Sequence, residues 1–162
     1  MHPHLSGAFR DLKKSLFTLS AAVEDNLHLA VKAVRSGDGD LADQVHNRDL
    51  AIDQMEVDFE EECLKILALY QPVAIDLRFV IAVLKINNDL ERIGDQAVNI
   101  AERTIELLKE PSLKPLIDIP YMAQLAQAML KHSVDAFVHR DTALARSVCQ
   151  RDDEVDALDD QI

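Results

Sequence analysis

The run PVAIDLRFVIAVLKINNDLERIGDQAVNIAER, residues 72–103, decides the fold. Read at about 100° per residue, it carries two stripes. Phe79, Val83, Ile86, Leu90, Ile93, Ala97 and Ile100 step by three and four and predict an apolar helix face. Asn88, Glu91, Asp95, Asn99 and Glu102 step the same way on a row roughly opposite. A helix that buries one face needs only polar variety on the other. Here that other face is a row of carboxylates and amides at the spacing of ligands.

Working outward, the preceding sequence predicts two more long helices. The first, from about Leu5 to Arg35, keeps the rhythm Phe9, Leu12, Leu16, Leu19, Val23, Leu27, Ala30 and Val34. It stops at SGDGD, where Gly37 and Gly39 break the helix and Asp38 or Asp40 can cap the next one. The second, about Asp40 to Tyr70, is expected to pack through Leu41, Val45, Ile52, Met55, Phe59, Cys63 and Ile66. Gln71-Pro72 closes it, because the residue before proline is pushed out of the right-handed helical region. With the third helix continuing to about Lys109, residues 1–110 predict an up-down-up three-helix bundle.

Residues 111–120, with Pro111, Pro115 and Pro120, read as a linker. Beyond it, Tyr121–Val138 and Thr142–Ile162 read as two helices around a turn at His139-Arg140-Asp141. They repeat the first two. At a shift of 103 residues Arg48-Asp49 meets Arg151-Asp152, Asp38 meets Asp141, Val45 meets Val148 and Asp53 meets Asp156. The expectation is an all-α chain of tandem three-helix repeats, the second (residues 121–162) holding only its first two helices. Its exposed apolar face is expected to be covered by another chain or element, or the sequence is a fragment.

Composition agrees and excludes other classes. Hydrophobic residues make up 48% of the 162, with four glycines, five prolines, 4% aromatics and no tryptophan, a profile that disfavours a β-sandwich. Twenty-nine acidic against 17 basic residues give a formal charge of −12, which repels phosphate backbones and suits cations or a basic partner. No nucleic-acid ligand is expected. The start, MHPHLSGAFRDLKK, lacks the apolar run of a secretory signal, and no apolar run reaches the roughly 18 residues of a membrane span. A soluble, cytoplasmic protein is the expectation. Cys63 and Cys149 stand far apart, and Cys63 falls on an apolar stripe as a buried free thiol.

The candidate chemistry lies in acid rows. Asp49, Asp53, Glu56 and Glu60 share one stripe of the second helix. Like charges at i,i+4 cost an isolated helix roughly 0.2–0.5 kcal/mol per pair, and nothing about packing asks for them. The third helix offers Glu91 and Asp95, with Asn88 and Asn99 one turn either side. If the two helices lie antiparallel, DLAID and ERIGD converge, and four carboxylates suffice for one hard cation or a small cluster. The competing reading is a solvated acidic face. The reappearance of the acid pair at Asp152 and Asp156 favours metal. Gly94, inside the second motif, costs up to ~1 kcal/mol relative to alanine and fits close approach of a neighbour or plain tolerance.

Other chemistries find no motif. His28, His46, His132 and His139 form no i,i+4 ligand pair, so a His/Cys zinc site is not expected. Neither a nucleophile elbow nor a glycine-rich phosphate loop occurs. Arg78, Lys85, Arg92 and Arg103 read as salt-bridge partners of neighbouring acids. A carboxylate-bridged metalloenzyme, hydrolysing phosphoesters or handling oxygen, is the alternative to a binding protein. Against it, the Glu-x-x-His pairs of ferritin-like di-iron sites are missing. A helical scaffold without ligand is the third reading.

PVAIDLR at 72–78, LKINNDLERIGD at 84–95, NIA from Asn99, and RDLAID at 48–53 with its echo RDDEVD at 151–156 closely resemble the PhoU family. The resemblance implies two tandem three-helix bundles whose E/D-x-x-x-D motifs bind metal clusters on the bundle surface. Iron, zinc, magnesium and manganese are the candidate ions. By position, the first cluster falls to Asp49, Asp53, Glu91 and Asp95, with Glu56, Asn88 and Asn99 as possible additional ligands. The second would use Asp152 and Asp156, with its remaining ligands missing here; the departure from the family is length, the second bundle lacking its third helix. The resemblance also implies a cytoplasmic, non-enzymatic negative regulator of the phosphate-starvation response. Such a protein couples a phosphate ABC transporter to a sensor histidine kinase and self-associates, commonly as a dimer.

Overall fold

Five helices follow one another in the computed structural model, which describes residues 3–109 and 118–160. They are α1 (Pro3–Ser36), α2 (Gly39–Tyr70), α3 (Ala74–Leu107), α4 (Asp118–His139) and α5 (Thr142–Asp159), with no strand among the described residues. Most of the proline-rich segment expected to be a linker, and the last two residues of the expected final helix, lie outside the described residues. Helix α4 begins at Asp118, three residues before the expected Tyr121. Pro120 sits in its first turn, where its missing N–H would have had no helical partner.

Helices α1, α2 and α3 pack on one another in all three pairings, while α5 packs on α4 and α4 on α1. Their shared core grades from large to small. Leu12, Leu16, Leu19 and Val23 of α1 meet Ile52, Phe59, Cys63 and Ile66 of α2 and Val80, Val83 and Leu90 of α3. Towards the α1–α2 turn the fully buried residues are small, Ala30, Ala33, Ala42, Val45, Ala97 and Ala101, with partly buried Leu27, Leu41, Ile100 and Ile105 packed around them. The end of α3 reaches that turn, where Leu108 lies 3.4 Å from a Cβ built at Gly37. Burial pushes the Cys63 thiol up to about 12, helped by Glu62 and Glu60, so it behaves as a small core hydrophobe.

Most of the two expected faces is buried as read, with Val45, Ile52, Phe59, Cys63 and Ile66 of α2 and Val83, Leu90 and Ala97 of α3 inside, but some positions are displaced by one residue. In α2, Glu56 is buried and Met55 is exposed, although both positions fit the period that joins Ile52 to Phe59. In α3 the buried row is Val80, Val83, Asn87, Leu90, Gly94, Ala97, Ala101 and Thr104. Phe79, Ile86, Ile93 and Ile100 are only partly buried. The first three belong to a second apolar flank: Phe79 stacks on Phe137 of α4 at 5.6 Å, and Ile86 and Ile93 line a groove with Leu130 and Val155, while Ile100 packs beside Ala97 and Ala101. With neighbours on two sides, α3 carries a wider apolar arc than one stripe. Asn87 and Gly94 occupy the inner positions that bulkier residues were expected to fill.

The internal repeat reaches individual hydrogen bonds. Asp38 N donates to Ala33 O at 3.1 Å, and 103 residues on Asp141 N donates to Ala136 O at 2.8 Å. Gly37 and Arg140, the matching residues, both turn the chain through the left-handed region, with φ of 61° and 57°. The Asp38 carboxylate then accepts from the N–H of Asp40 and Leu41, and Asp141 accepts from the N–H of Leu144. Each aspartate caps the helix that follows. Replacing Asp38 by alanine is expected to cost ~1 kcal/mol, a drop of about 2–4 °C in thermal midpoint for a chain of this size. Thermal melts followed by circular dichroism check this, and an unchanged midpoint would contradict the capping assignment.

Candidate metal centre

Antiparallel packing of α2 on α3 sets RDLAID beside ERIGD. The contact is close because Gly94 has no side chain: a Cβ built there would stand 3.4 Å from Asp49 Oδ1 and 3.9 Å from Ile52 Cγ2. Asp49 thus rests its carboxylate against the α3 backbone between Glu91 and Asp95. Of the two explanations for this glycine, close approach of a neighbour is the one observed.

The acids feel one another. Partial burial holds the Asp49 carboxyl above its ordinary range, and Asp53 and Asp95 raise it further while His46 draws it down. Glu56, 9% exposed, is pushed up to about 7, first by burial and then by Glu91, Asp53, Asp49 and Asp95. Five carboxyl groups from two helices therefore share one field. Among the described residues none of the five is in an ion pair: Arg92 pairs with Asp89, Arg103 with Glu106 and Lys65 with Glu61. Arg78 lines an apolar groove with Phe79 and Phe137 instead of pairing with an acid.

As the side chains stand, no three His, Cys, Asp or Glu among the described residues converge closely enough to hold one ion. The arrangement is an open carboxylate field. Its donor set, all hard oxygen, fits a hard cation, and a bound divalent ion would supply the positive charge that the protein does not. Asp49, Asp53, Glu91 and Asp95 would hold it. Glu56 lies deeper and would ionise as the ion neutralised its neighbours.

The other candidate residues stand elsewhere. Asn88 and Asn99 are exposed on α3. The buried amide is Asn87, whose Nδ2 donates to the Glu56 backbone carbonyl at 3.3 Å and ties α3 to α2 beside the acids. Spacing pointed to its neighbour, since asparagine at 87 interrupts an apolar row. Asp152 and Asp156 are exposed on α5, which packs on α4 rather than on α2, so they form no common set with the first four. Asp152 shares a groove of about 410 Å³ with Asp89 and Leu90 of α3.

Glu56 gives the site a pH signature. Its folded-state pKa of about 7 exceeds the ordinary 4.5, so between these values the native state holds more protons than the unfolded chain. Stability of the metal-free protein therefore falls as pH rises through that window. Glu56→Gln is expected to raise the thermal midpoint at pH 8 and to leave it nearly unchanged at pH 4.5. Melts in chelator across that range check the sign, and a parent and variant with parallel pH profiles would refute it.

An all-helical repeat protein with a shared carboxylate face between its second and third helices is the class that fold and site define. The family model described as PhoU domain matches residues 16–104 and 119–162, two matches whose starts stand at the repeat shift. The chain belongs to the PhoU domain family. It is 41% identical over 152 residues to the phosphate-specific transport system accessory protein PhoU homolog of Aquifex aeolicus, covering 94% of this chain and 69% of the relative. The Pseudomonas aeruginosa homolog is 39% identical over 158 residues, covering 94% of this chain and 65% of the relative. The chain thus spans about two thirds of the length of these curated relatives. The crystal structure of PhoU from Pseudomonas aeruginosa superposes with a TM-score of 0.89 at 38% identity, over 94% of this chain and 74% of that one. The phosphate transport system regulatory protein PhoU from Streptococcus pneumoniae gives 0.87 at 30% identity, over 95% and 72%. Among the described residues no helix is long and apolar enough to cross a membrane.

Proposed function

We propose that this chain is a metal-binding, non-enzymatic regulator of phosphate transport. It acts in the cytoplasm as an adaptor between a phosphate ABC transporter ATPase and a phosphate-sensing histidine kinase, and it represses the phosphate-starvation response. The observation that carries the metal part is the carboxylate field of Asp49, Asp53, Glu56, Glu91 and Asp95, none of which is in an ion pair among the described residues. Membership of a family whose relatives are named transport accessory proteins supports the regulatory part. Long, rigid helix faces suit docking to other proteins, and pairing as a homodimer would double the surface available.

In this reading the chain's residues bind and do not transform. Asp49, Asp53, Glu91 and Asp95 would hold the ion, Glu56 would be ionised beside it, and Asn87 ties α3 to α2 next to them. Affinity capture with the tagged chain, metal-loaded, tests the adaptor role. Retention of both the transporter ATPase and the kinase is expected, and retention of neither would refute it.

A further inference from the structure

Along α1 a chain of formal charge −12 brings four cations to one cleft. A cleft of about 870 Å³ runs between α1, the start of α3 and the end of α4. Its floor is aromatic: Phe9 and Phe79 are partly buried, their rings meeting edge to face at 5.4 Å, and Phe17 is 37% exposed. Its rim carries Arg10, Lys13, Lys14 and Arg140, with Asp76 as the one acid among the lining residues. Lys13 Nζ lies 5.6 Å from the Phe79 ring centre, so its charge leans over the floor. Among the described residues only Arg10 of these cations has an ion-pair partner, exposed Asp11 at 4.0 Å.

Backbone geometry singles out one of them. Arg140 occupies the left-handed position that Gly37 fills in the first repeat, with φ of 57° against 61°. A non-glycine residue there costs roughly 1–2 kcal/mol, and nothing in the turn requires arginine. What the arginine contributes is charge at the mouth of the cleft.

We propose that this cleft is a docking groove for an acidic amphipathic helix of a partner protein. Shape selects the class of ligand. The lining runs along α1 from Ser6 to Ala21, about four turns or roughly 22 Å. That outline fits a helix laid in a groove, with apolar anchors on the phenylalanines and carboxylates on the rim. The overall negative charge does not forbid it, since at physiological salt charges are screened beyond about 8 Å and the rim dominates locally. As a partner surface it extends the adaptor reading, but it does not depend on which protein supplies the helix or on the metal.

The test uses a fluorescent 18-residue peptide with leucine at i, i+4, i+7 and i+11 and glutamate at most other positions, followed by anisotropy. Binding is expected, weakening with added salt and falling about tenfold in Lys13→Glu. Arg140→Gly is expected to weaken binding while its thermal midpoint holds or rises, because glycine relieves the turn. A purely structural arginine would give the opposite pair of results. Affinity unchanged in both variants, or no binding at millimolar peptide, would overturn the proposal. So would sedimentation showing a dimer that Lys13→Glu dissolves, since the groove would then hold a second copy.

Discussion

Manganese added to the chelated protein is expected to raise the thermal midpoint by about 5–10 °C, and Asp53→Asn combined with Asp95→Asn is expected to abolish the rise. The size follows from mass action. An ion at 100 times its dissociation constant stabilises the native state by ~2.7 kcal/mol, and each kcal/mol is worth about 2–4 °C in a chain of this length. Two features make the response diagnostic. The acids repel one another, so neutralising two of them leaves the metal-free fold as stable as the parent or more so. Loss of the response therefore cannot be mistaken for unfolding. The same exchange at Asp152 and Asp156, exposed on a helix that does not pack on α2, is expected to leave the rise intact. A manganese shift that persisted in the first double variant would remove Asp49, Asp53, Glu91 and Asp95 as the binding set. Repeating the titration with iron, zinc and magnesium ranks the ions at the same site.

Much of this architecture is readable in the chain because its signals are local and repeated. Asp38 and Asp141 cap helices after residues that turn left-handed, and the two turns recur at a shift that the sequence itself displays. The convergence of RDLAID on ERIGD needed only an antiparallel pair of helices. What periodicity could not decide is which of two adjacent positions points inwards. Met55 and Glu56 both fit the stripe, and hydropathy favours methionine; packing put the carboxyl inside, and the raised pKa follows from that. Asn87 was illegible for the same reason, a polar residue on an inner row whose partner is a backbone carbonyl on another helix. The cationic cleft joins α1 to the end of α4, residues more than a hundred positions apart, so no window on the sequence contains it.

Leu90→Ala is expected to lower stability by about 2–5 kcal/mol, and Ile93→Ala by clearly less. The two leucine-sized residues stand one turn apart on α3, and the period read from the sequence puts both on the same face. In the structure Leu90 is 1% exposed and sits in the core with residues of α1 and α2, whereas Ile93 is partly buried on the flank towards α4 and α5. Leu90 also lines the groove of about 410 Å³ on that flank. Truncating it therefore enlarges existing space that the helices cannot close without moving α3, which places the cost near the upper end of the range. For this chain that is a fall of about 10–20 °C in thermal midpoint. Ile93 loses contacts only on its sheltered side, and water already reaches the rest. Melts of the two variants decide between the faces. Equal losses would mean that the stripe of Phe79, Ile86, Ile93 and Ile100 is as deeply buried as the row through Leu90, and that α3 is rotated from the register that brings Gly94 against Asp49.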